Sequence, residues 1–170
     1  MGVWIFDIEA DGLLEEKDGQ PTASKIHCLV LSKVGSEKVE VFYEEDIPKF
    51  KSRIPGLGVV GGHNIFKYDL NLLKKLYGID WSYTSWNGYP CKFVDTLAWS
   101  QSLWPDREIP KGSKGAHGLE AWGRRNGTWK PEVEDWHNLP LEVYVNRCTE
   151  DVINNKLTYI KLLEEYRQYE

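Results

Sequence analysis

Two acidic residues stand where an apolar segment near the N-terminus ends. The segment VWIFDIEADGLL, residues 3–14, begins as a buried-strand pattern and carries Asp7 and Glu9 at its exit. Because alternate residues of a strand point to the same face, these two carboxylates are predicted to lie side by side. Adjacent carboxylates repel one another unless a cation lies between them, so the pair indicates a site for Mg²⁺ or Mn²⁺. The alternative is a polar exit into a turn at Asp11 and Gly12.

Two further acidic residues occur later in the chain. Asp69 lies in HNIFKYDLNLL, residues 63–73, near the predicted start of a helix, and Asp151 lies in RCTEDVINNKL, residues 147–157, on a later helix. Each has an ordinary explanation on its own, because acidic residues favour helix N-termini and often occupy the solvated face of a helix. Their chemistry therefore depends on whether the fold brings them to the first pair.

The order of these acids resembles the DEDD exonuclease superfamily, with D-x-E on a first strand, N-x3-Y-D at a middle helix and an aspartate on the last helix. The segments KIHCLVL, FVDTLAWSQSL and GAHGLEAWGRRNG are similar to segments of the proofreading 3′–5′ exonuclease domain in the phage branch of the family A DNA polymerases. The resemblance spans residues 3–163. It implies an α/β protein with a ribonuclease H-like mixed β-sheet flanked by α-helices.

The resemblance also implies an activity and a set of catalytic residues. The implied activity is hydrolysis of single-stranded DNA from its 3′ end to nucleoside monophosphates, with a 3′–5′ exoribonuclease as an alternative. The catalytic residues would be the four acids, which would also bind two divalent metal ions, Mg²⁺ or Mn²⁺: Asp7, Glu9, Asp69 and Asp151. The partner would be a single strand or a frayed 3′ end, and a DNA polymerase is a further expected partner.

Residues near these acids are expected to contact the substrate. Leu13 and Phe66 could stack on bases, and Asn64 could hydrogen-bond to a sugar or phosphate. Arg147 could bind the scissile phosphate, because its guanidinium is always charged and has several donors. Trp99 is another stacking candidate, although packing in the core is the simpler expectation.

One position departs from the family pattern. The family normally has a tyrosine four residues before the last aspartate, or a histidine five residues before it, whereas this chain has Arg147 and Asn146 there. Arginine cannot act as a base at working pH. Tyr144, about two turns before Asp151, could orient the attacking water if the helix were distorted. The departure leaves a third alternative, a low-activity domain that binds nucleic acid or a polymerase.

Composition limits these interpretations. A chain of 170 residues with 41% hydrophobic residues is expected to form one domain, here taken as a single exonuclease domain over residues 1–170. The net charge of −5 argues against a protein that binds duplex DNA by electrostatics alone. Three cysteines without a CxxC pair predict reduced thiols. With no apolar run long enough for a membrane span and no signal peptide, we expect a cytoplasmic protein without membrane association, in the host cytoplasm if it is phage-encoded.

Hydrophobic periodicity predicts the elements that position these residues. Asp95 is expected either to cap a helix or, by the resemblance, to support the site. The last helix, residues 141–169, is either continuous or interrupted near 147–149. Strands are predicted at 3–8, 26–34, 38–43, 58–62 and just after 92, and earlier helices at 47–53, 66–77, 95–103 and 117–126. Four tryptophans fall in predicted loops, where packing is expected and a base-stacking rim is the alternative: Trp81, Trp86, Trp104 and Trp129.

Overall fold

A five-stranded mixed β-sheet forms the centre of the computed structural model, which describes residues 2–14, 16–17, 20–81, 85–86, 89–131, 133, 135 and 138–169. The strands are β1 (Val3–Ala10), β2 (Glu16–Lys17), β3 (Gln20–Pro21), β4 (Ile26–Lys33), β5 (Val39–Tyr43), β6 (Val59–Gly62), β7 (Ser85–Trp86), β8 (Tyr89–Pro90) and β9 (Lys92–Asp95). The sheet has the order β5-β4-β1-β6-β9, and β2–β3 and β7–β8 are separate two-stranded hairpins. Strand β1 is central, antiparallel to β4 and parallel to β6.

Five α-helices cover this sheet. They are α1 (Ile47–Arg53), α2 (Asp69–Tyr77), α3 (Thr96–Leu103), α4 (Leu119–Asn126) and α5 (Leu141–Arg167). Two 3₁₀ turns, Glu44–Asp46 and Ile54–Gly56, flank α1. Helix α5 packs against β4, β1, α3 and α4, so its position fixes the geometry of one whole face of the sheet.

The alternation of side chains along β1 divides the interior into two cores. Ile5 packs with Cys28 and Val30 of β4 against α5. Phe6 and Ile8 point the other way, into the larger core on the opposite face. Burial of each such apolar side chain contributes about 1.5–3 kcal/mol, which explains why this strand occupies the centre of the sheet.

The predicted fold class, an α/β protein with a mixed sheet flanked by helices, is confirmed. Two helices end as expected, because Gly78 and Gly127 adopt φ values of +64° and +72°, which glycine tolerates without a Cβ clash. Helix α2 begins at Asp69 rather than at residue 66, because the backbone at Asn64 has φ +63° and forms a turn before the helix.

Of the two expectations for the last helix, the structure shows the continuous one. Helix α5 runs through residues 147–149 without a break, because Cys148 is buried and its neighbours on the same face, Tyr144 and Val152, pack into the same core. The three cysteines are buried and free, in agreement with the predicted reduced thiols. Within the described part of the chain, every helix is too short or too polar to cross a bilayer.

Candidate metal centre

The two acids of β1 face helix α5. Asp7 and Glu9 alternate with Ile8 and so share the face of Ile5, which packs against α5. A register shift follows Glu9, so the pairing of β1 with β4 is irregular directly after the second carboxylate. The thiol of Cys148 on α5 donates a hydrogen bond to the Asp7 carbonyl at 3.2 Å, which ties the helix to the strand at this point.

Helix α5 brings a third acid to the pair. Asp151 lies about one turn after Cys148, on the part of the helix that contacts β1. One carboxylate oxygen from each of Asp7, Glu9 and Asp151 lies within 4.8 Å of the others, a separation that a single cation can bridge. Asp151 is remote in sequence from the other two and meets them only because α5 crosses β1.

The fourth predicted acid, Asp69, lies beside this cluster but outside the group of three. It is the first residue of α2 and is only 2% exposed. Its Oδ1 has no hydrogen-bond partner, and its charge contributes to raising the pKa of Asp7. A buried carboxylate oxygen without a donor is costly, and a cation would satisfy it.

The environment of the cluster raises the pKa of all four acids. Burial, followed by the charges of the neighbouring acids, raises the pKa of Asp7 well above its ordinary value. For the same reasons the pKa of Glu9 rises to about 8. Burial raises the pKa of Asp69 to about 7 and that of Asp151 to about 6. Without a cation, the fold therefore holds some of these groups protonated at neutral pH.

This donor set fits a hard divalent cation. All the oxygens that converge are carboxylate oxygens, the ligands that Mg²⁺ and Mn²⁺ prefer, and no His or Cys side chain belongs to the group of three. The unpartnered Oδ1 of Asp69 would be explained by the same ligand, directly or through water. The residues present are thus suited to bind a divalent metal ion.

Two basic residues lie next to the acids. The charge of Arg147 lowers the pKa of Glu9 and of Asp151, and the charge of Lys130 lowers that of Asp151. The Arg147 Nη2 donates a hydrogen bond to the carbonyl of Pro131, so the guanidinium is held beside the cluster by the segment before α5. This is a position from which it could contact a phosphate.

Two of the predicted substrate contacts lie on neighbouring exposed loops. Leu13 is 57% exposed and Phe66 is 52% exposed, which is unusual for large apolar side chains. The Tyr68 hydroxyl donates to the Gly12 carbonyl at 2.7 Å, so the loop after β1 is tied to the segment before α2. Asn64 lies at the start of that segment, and its backbone amide donates a hydrogen bond to Oδ1 of Asp95.

Two other candidates lie elsewhere. Trp99 is half-buried and packs edge-on against Tyr159 and Tyr166 of α5, as the simpler expectation had it. Tyr144, suggested to orient the attacking water, stacks on His27 with ring centroids 4.0 Å apart, and its hydroxyl accepts a hydrogen bond from the Leu139 amide. The suggested role required a distorted helix, whereas α5 is continuous over Leu141–Arg167.

The histidines near the site have structural contacts. Burial lowers the pKa of His63 to about 4, and its Nδ1 lies 2.9 Å from the Thr96 hydroxyl. His117 has one ring nitrogen 2.9 Å from the Ser100 hydroxyl and the other 3.3 Å from the Pro105 carbonyl. Both rings are therefore engaged in holding α3 to its surroundings.

Asp95 serves as the N-cap of α3 and also holds the turn before α2. Its Oδ1 accepts from the amides of Leu97 and Asn64 at 3.0 and 2.9 Å, and its Oδ2 accepts from the Phe66 amide at 3.4 Å. Its charge contributes to raising the pKa of Asp69, so it also lies close to the acidic cluster. The capping role and the supporting role are thus compatible in one residue.

Replacement of Asp95 by Ala is expected to lower the free energy of unfolding by about 2–4 kcal/mol, because several backbone amides lose their acceptor. Urea denaturation followed by circular dichroism measures this loss. The matched control is Asp46→Ala, since Asp46 occupies the N-cap of α1 without a side-chain cap bond, and we expect a change within about 0.5 kcal/mol there. Equal effects for the two variants would contradict the role assigned to Asp95.

Several contributing residues were not identified from the sequence. The sequence indicated only that Cys148 is a reduced thiol and that Tyr68 belongs to the N-x3-Y-D motif. It did not indicate the hydrogen bonds that these two residues make. Asp11 accepts hydrogen bonds from the amides of Ser24 and Lys25, at 2.7 and 2.9 Å, and so fixes the loop after β1. Of these three residues, only Tyr68 was indicated by the sequence, because it directly precedes Asp69. The contacts of Cys148 and Asp11 join segments that are distant in the chain.

The fold is an α/β fold of the ribonuclease H-like type, and the chain resembles the DEDD 3′–5′ exonucleases in the order and placement of its acids. Comparison with known proteins agrees. The chain is 27% identical over 153 residues to the DNA-directed DNA polymerase of Escherichia phage T7, which covers 81% of this chain and 21% of that protein. The chain thus spans about a fifth of the length of this relative. No family model matches the sequence.

Solved structures with this fold include polymerases and nucleases. A family B DNA polymerase from the archaeon Pyrobaculum calidifontis superimposes with a TM-score of 0.61 at 18% identity, over 95% of this chain and 24% of that chain. Exonuclease I of E. coli, in complex with a dT13 oligonucleotide, gives 0.57 at 15% identity over 98% and 41% of the two chains. RNase D of Trypanosoma brucei, in complex with RNA U12, gives 0.56 at 11% identity over 89% and 53%. The predicted resemblance is confirmed at the level of the fold and of the polymerase relative.

Proposed function

We propose that this chain is a metal-dependent 3′–5′ exonuclease that hydrolyses single-stranded DNA to nucleoside monophosphates. The observation that carries the proposal is the convergence of Asp7, Glu9 and Asp151 within 4.8 Å. The buried Asp69 beside them, with one oxygen unpartnered, extends the cluster to four acids. A domain without metal would gain nothing from burying four negative charges together.

The four acids would hold two divalent ions, Mg²⁺ or Mn²⁺. Asp7, whose pKa responds to the charges of all three other acids, would contact both ions. Glu9 and Asp151 would complete one site and Asp69 the other. Divalent ions supply an activated water and neutralise the negative charge that develops on the phosphate and the leaving 3′-oxygen.

Other residues would position the strand. Leu13 and Phe66, exposed on loops tied together by the Tyr68–Gly12 hydrogen bond, would contact the terminal base. Asn64 would hydrogen-bond to the sugar or phosphate. Arg147 would contact the phosphate from beside Glu9 and Asp151, in place of the tyrosine or histidine that the related enzymes carry near the last aspartate.

A cleavage assay tests this proposal. A 5′-labelled single strand, as DNA and as RNA, is incubated with Mg²⁺, with Mn²⁺ or with chelator. We expect ladders that shorten from the 3′ end of the DNA with either metal and intact strands in chelator. An Asp106→Asn variant, changed at an exposed acid, serves as the control and should cleave at the rate of the unaltered protein.

The same assay separates the alternatives. Faster shortening of the RNA than of the DNA would favour an exoribonuclease, which the same acids could serve. Retained strand binding without cleavage in any metal would favour a domain that binds nucleic acid or a DNA polymerase. The likeness to a phage DNA polymerase supports the DNA substrate.

A further inference from the structure

A cavity of about 200 Å³ opens between α4, α5 and the segment that follows α4. Asp151 lines it, so the cavity lies next to the acidic cluster. Its lining includes Trp129, Lys130, Arg147 and Asp151. A drug-sized ligand usually needs about 300 Å³ or more, so this space suits a single flat group such as a nucleobase.

The wall of the cavity that carries Trp129 is fixed in place. The Thr128 amide donates to the Gly123 carbonyl at 2.8 Å, and the Thr128 hydroxyl donates to Asn154 Oδ1 of α5 at 3.1 Å. A Cβ at Gly123 would lie 3.3 Å from the Trp129 Cα, so glycine permits the close approach of this segment to α4. The backbone of Trp129 is thus held against both helices.

The indole of Trp129 is backed by a cation on one face. The Arg124 guanidinium stacks on the ring, 4.1 Å from the centroid, and Arg124 is itself held by Glu120. Trp129 remains 41% exposed and lines the cavity, so part of its ring is accessible to a ligand. A tryptophan backed by a cation on one face is a rigid platform for stacking a base.

Two cations border the same cavity. Lys130 forms an ion pair with Glu150, and Arg147 is held by the Pro131 carbonyl. The two basic groups lie on the rim next to Asp151, whose pKa both of them lower. A phosphate that reaches this rim would meet both cations.

We propose that this cavity is a second nucleotide subsite, which stacks the base of an internal nucleotide on Trp129 and places its phosphate by Lys130 and Arg147. The proposal rests on the proposed function, because it assumes that the strand ends at the acidic cluster. It assigns the terminal base to Leu13 and Phe66 and an internal base to Trp129. The ligand class is a single-stranded oligonucleotide.

The test measures binding rather than cleavage. The probe is a fluorescent oligothymidylate with cleavage-resistant phosphorothioate linkages at its 3′ end, titrated in Mg²⁺ and followed by anisotropy. Trp129→Ala should weaken binding about tenfold or more, and Trp129→Phe should restore most of it. Trp104→Ala is the matched control, since Trp104 is 47% exposed but packs against Tyr169 at the far end of α5.

An abasic scan shows whether the base itself is recognised. Probes that lack one base at successive internal positions are titrated against the unaltered protein and Trp129→Ala. The two proteins should bind equally when the missing base is the one that stacks on Trp129. A loss with Trp129→Ala that is the same for every abasic probe would assign the residue a structural role and overturn the proposal, as would equal losses with Trp104→Ala.

Lys130→Ala tests the phosphate contact. The slope of log affinity against log salt concentration should fall by about 0.7, the value for one phosphate contact on a single strand. An unchanged slope would overturn the phosphate part of the proposal. These readouts are independent of cleavage: if the strand binds through Trp129 but is never cut, the proposed function fails while the subsite stands.

Discussion

Asp7→Asn is expected to lower the rate of strand cleavage by about a thousandfold or more and, in chelator, to raise the stability of the folded protein. Asparagine has nearly the same shape as aspartate but lacks the charge that would bind both cations. Of the four acids, Asp7 is the one whose pKa is raised by all three of the others. Removal of this charge relieves repulsion inside the sheet.

The stability gain follows from the raised pKa of Asp7, because the folded state disfavours the charged carboxylate that the unfolded chain carries freely at pH 8. For a chain of this size, each kcal/mol gained corresponds to a rise in Tm of roughly 2–4 °C. Most substitutions in a protein interior destabilise it, and a gain here would be diagnostic of a functional site that costs stability.

Thermal unfolding in chelator and in Mg²⁺ measures this effect. In Mg²⁺ the unaltered protein should have the higher Tm, because the cation stabilises it and has little effect on Asp7→Asn. The Asp106→Asn variant, changed at an exposed acid, should follow the unaltered protein in both conditions. Cleavage within tenfold of the unaltered rate, or a lower Tm of Asp7→Asn in chelator, would contradict the assignment.

In chelator, the free energy of unfolding is expected to fall as the pH rises from 6.5 to 8.5. The folded state raises the pKa of Asp69 from 3.8 to about 7 and that of Glu9 from 4.5 to about 8. Within this window the folded state binds more protons than the unfolded state, so stability decreases with increasing pH. The contribution of these two carboxyls to the free energy of unfolding is fully present below the ordinary carboxyl pKa. It is lost as the pH rises and the two groups ionise in the folded state, near pH 7 and pH 8.

The lower limit of the window is set by His63. Its pKa falls from 6.5 to about 4 on folding, so below pH 6.5 it contributes a slope of the opposite sign. Between pH 6.5 and 8.5 the acids dominate, and the expected loss is about 2 kcal/mol or more, which corresponds to roughly 4–8 °C in Tm.

Divalent cation and Glu9→Gln both test the cause of this slope. Mg²⁺ should flatten the curve because it binds the ionised carboxylates, and Glu9→Gln should reduce the slope in chelator because one titrating group is removed. An equally steep curve with Mg²⁺, or a slope unchanged by Glu9→Gln, would mean that other groups cause it.

The strand and its two acids could be predicted because their pattern is local. The apolar run around Ile5 and Phe6 indicates a central strand, and the two-residue period places Asp7 and Glu9 on one face. That Asp151 meets them could not be derived from periodicity, because it depends on how α5 crosses β1. The resemblance to a known superfamily supplied that expectation.

The burial of polar residues in α5 was not predictable for a related reason. Asn154, Asn155 and Thr158 are buried in this helix, where a periodicity argument treats polar residues as solvated. They are buried because Asn126 and Thr96 supply hydrogen bonds from other elements, Asn126 to Asn154 and Thr158, and Thr96 to Asn155. Such tertiary partners are invisible in a single sequence.

The cavity beside Asp151 was also beyond prediction. Trp129 was expected to pack in a loop, and nothing in its neighbours indicated that Arg124 would back the ring. The position of Lys130 depends on its ion pair with Glu150, which joins an irregular segment to α5. These contacts arise from the packing of α4 on α5 and have no sequence motif of their own.

Calorimetric titration of the protein with Mn²⁺ tests most directly whether the four acids form one metal centre. We expect saturable binding to the unaltered protein and to Asp106→Asn, and loss of that binding in Asp7→Asn and in Asp151→Asn. These two positions lie far apart in the chain but contribute oxygens to the same cluster. Mn²⁺ binding of equal affinity in all four proteins would contradict the metal centre and, with it, the proposed nuclease.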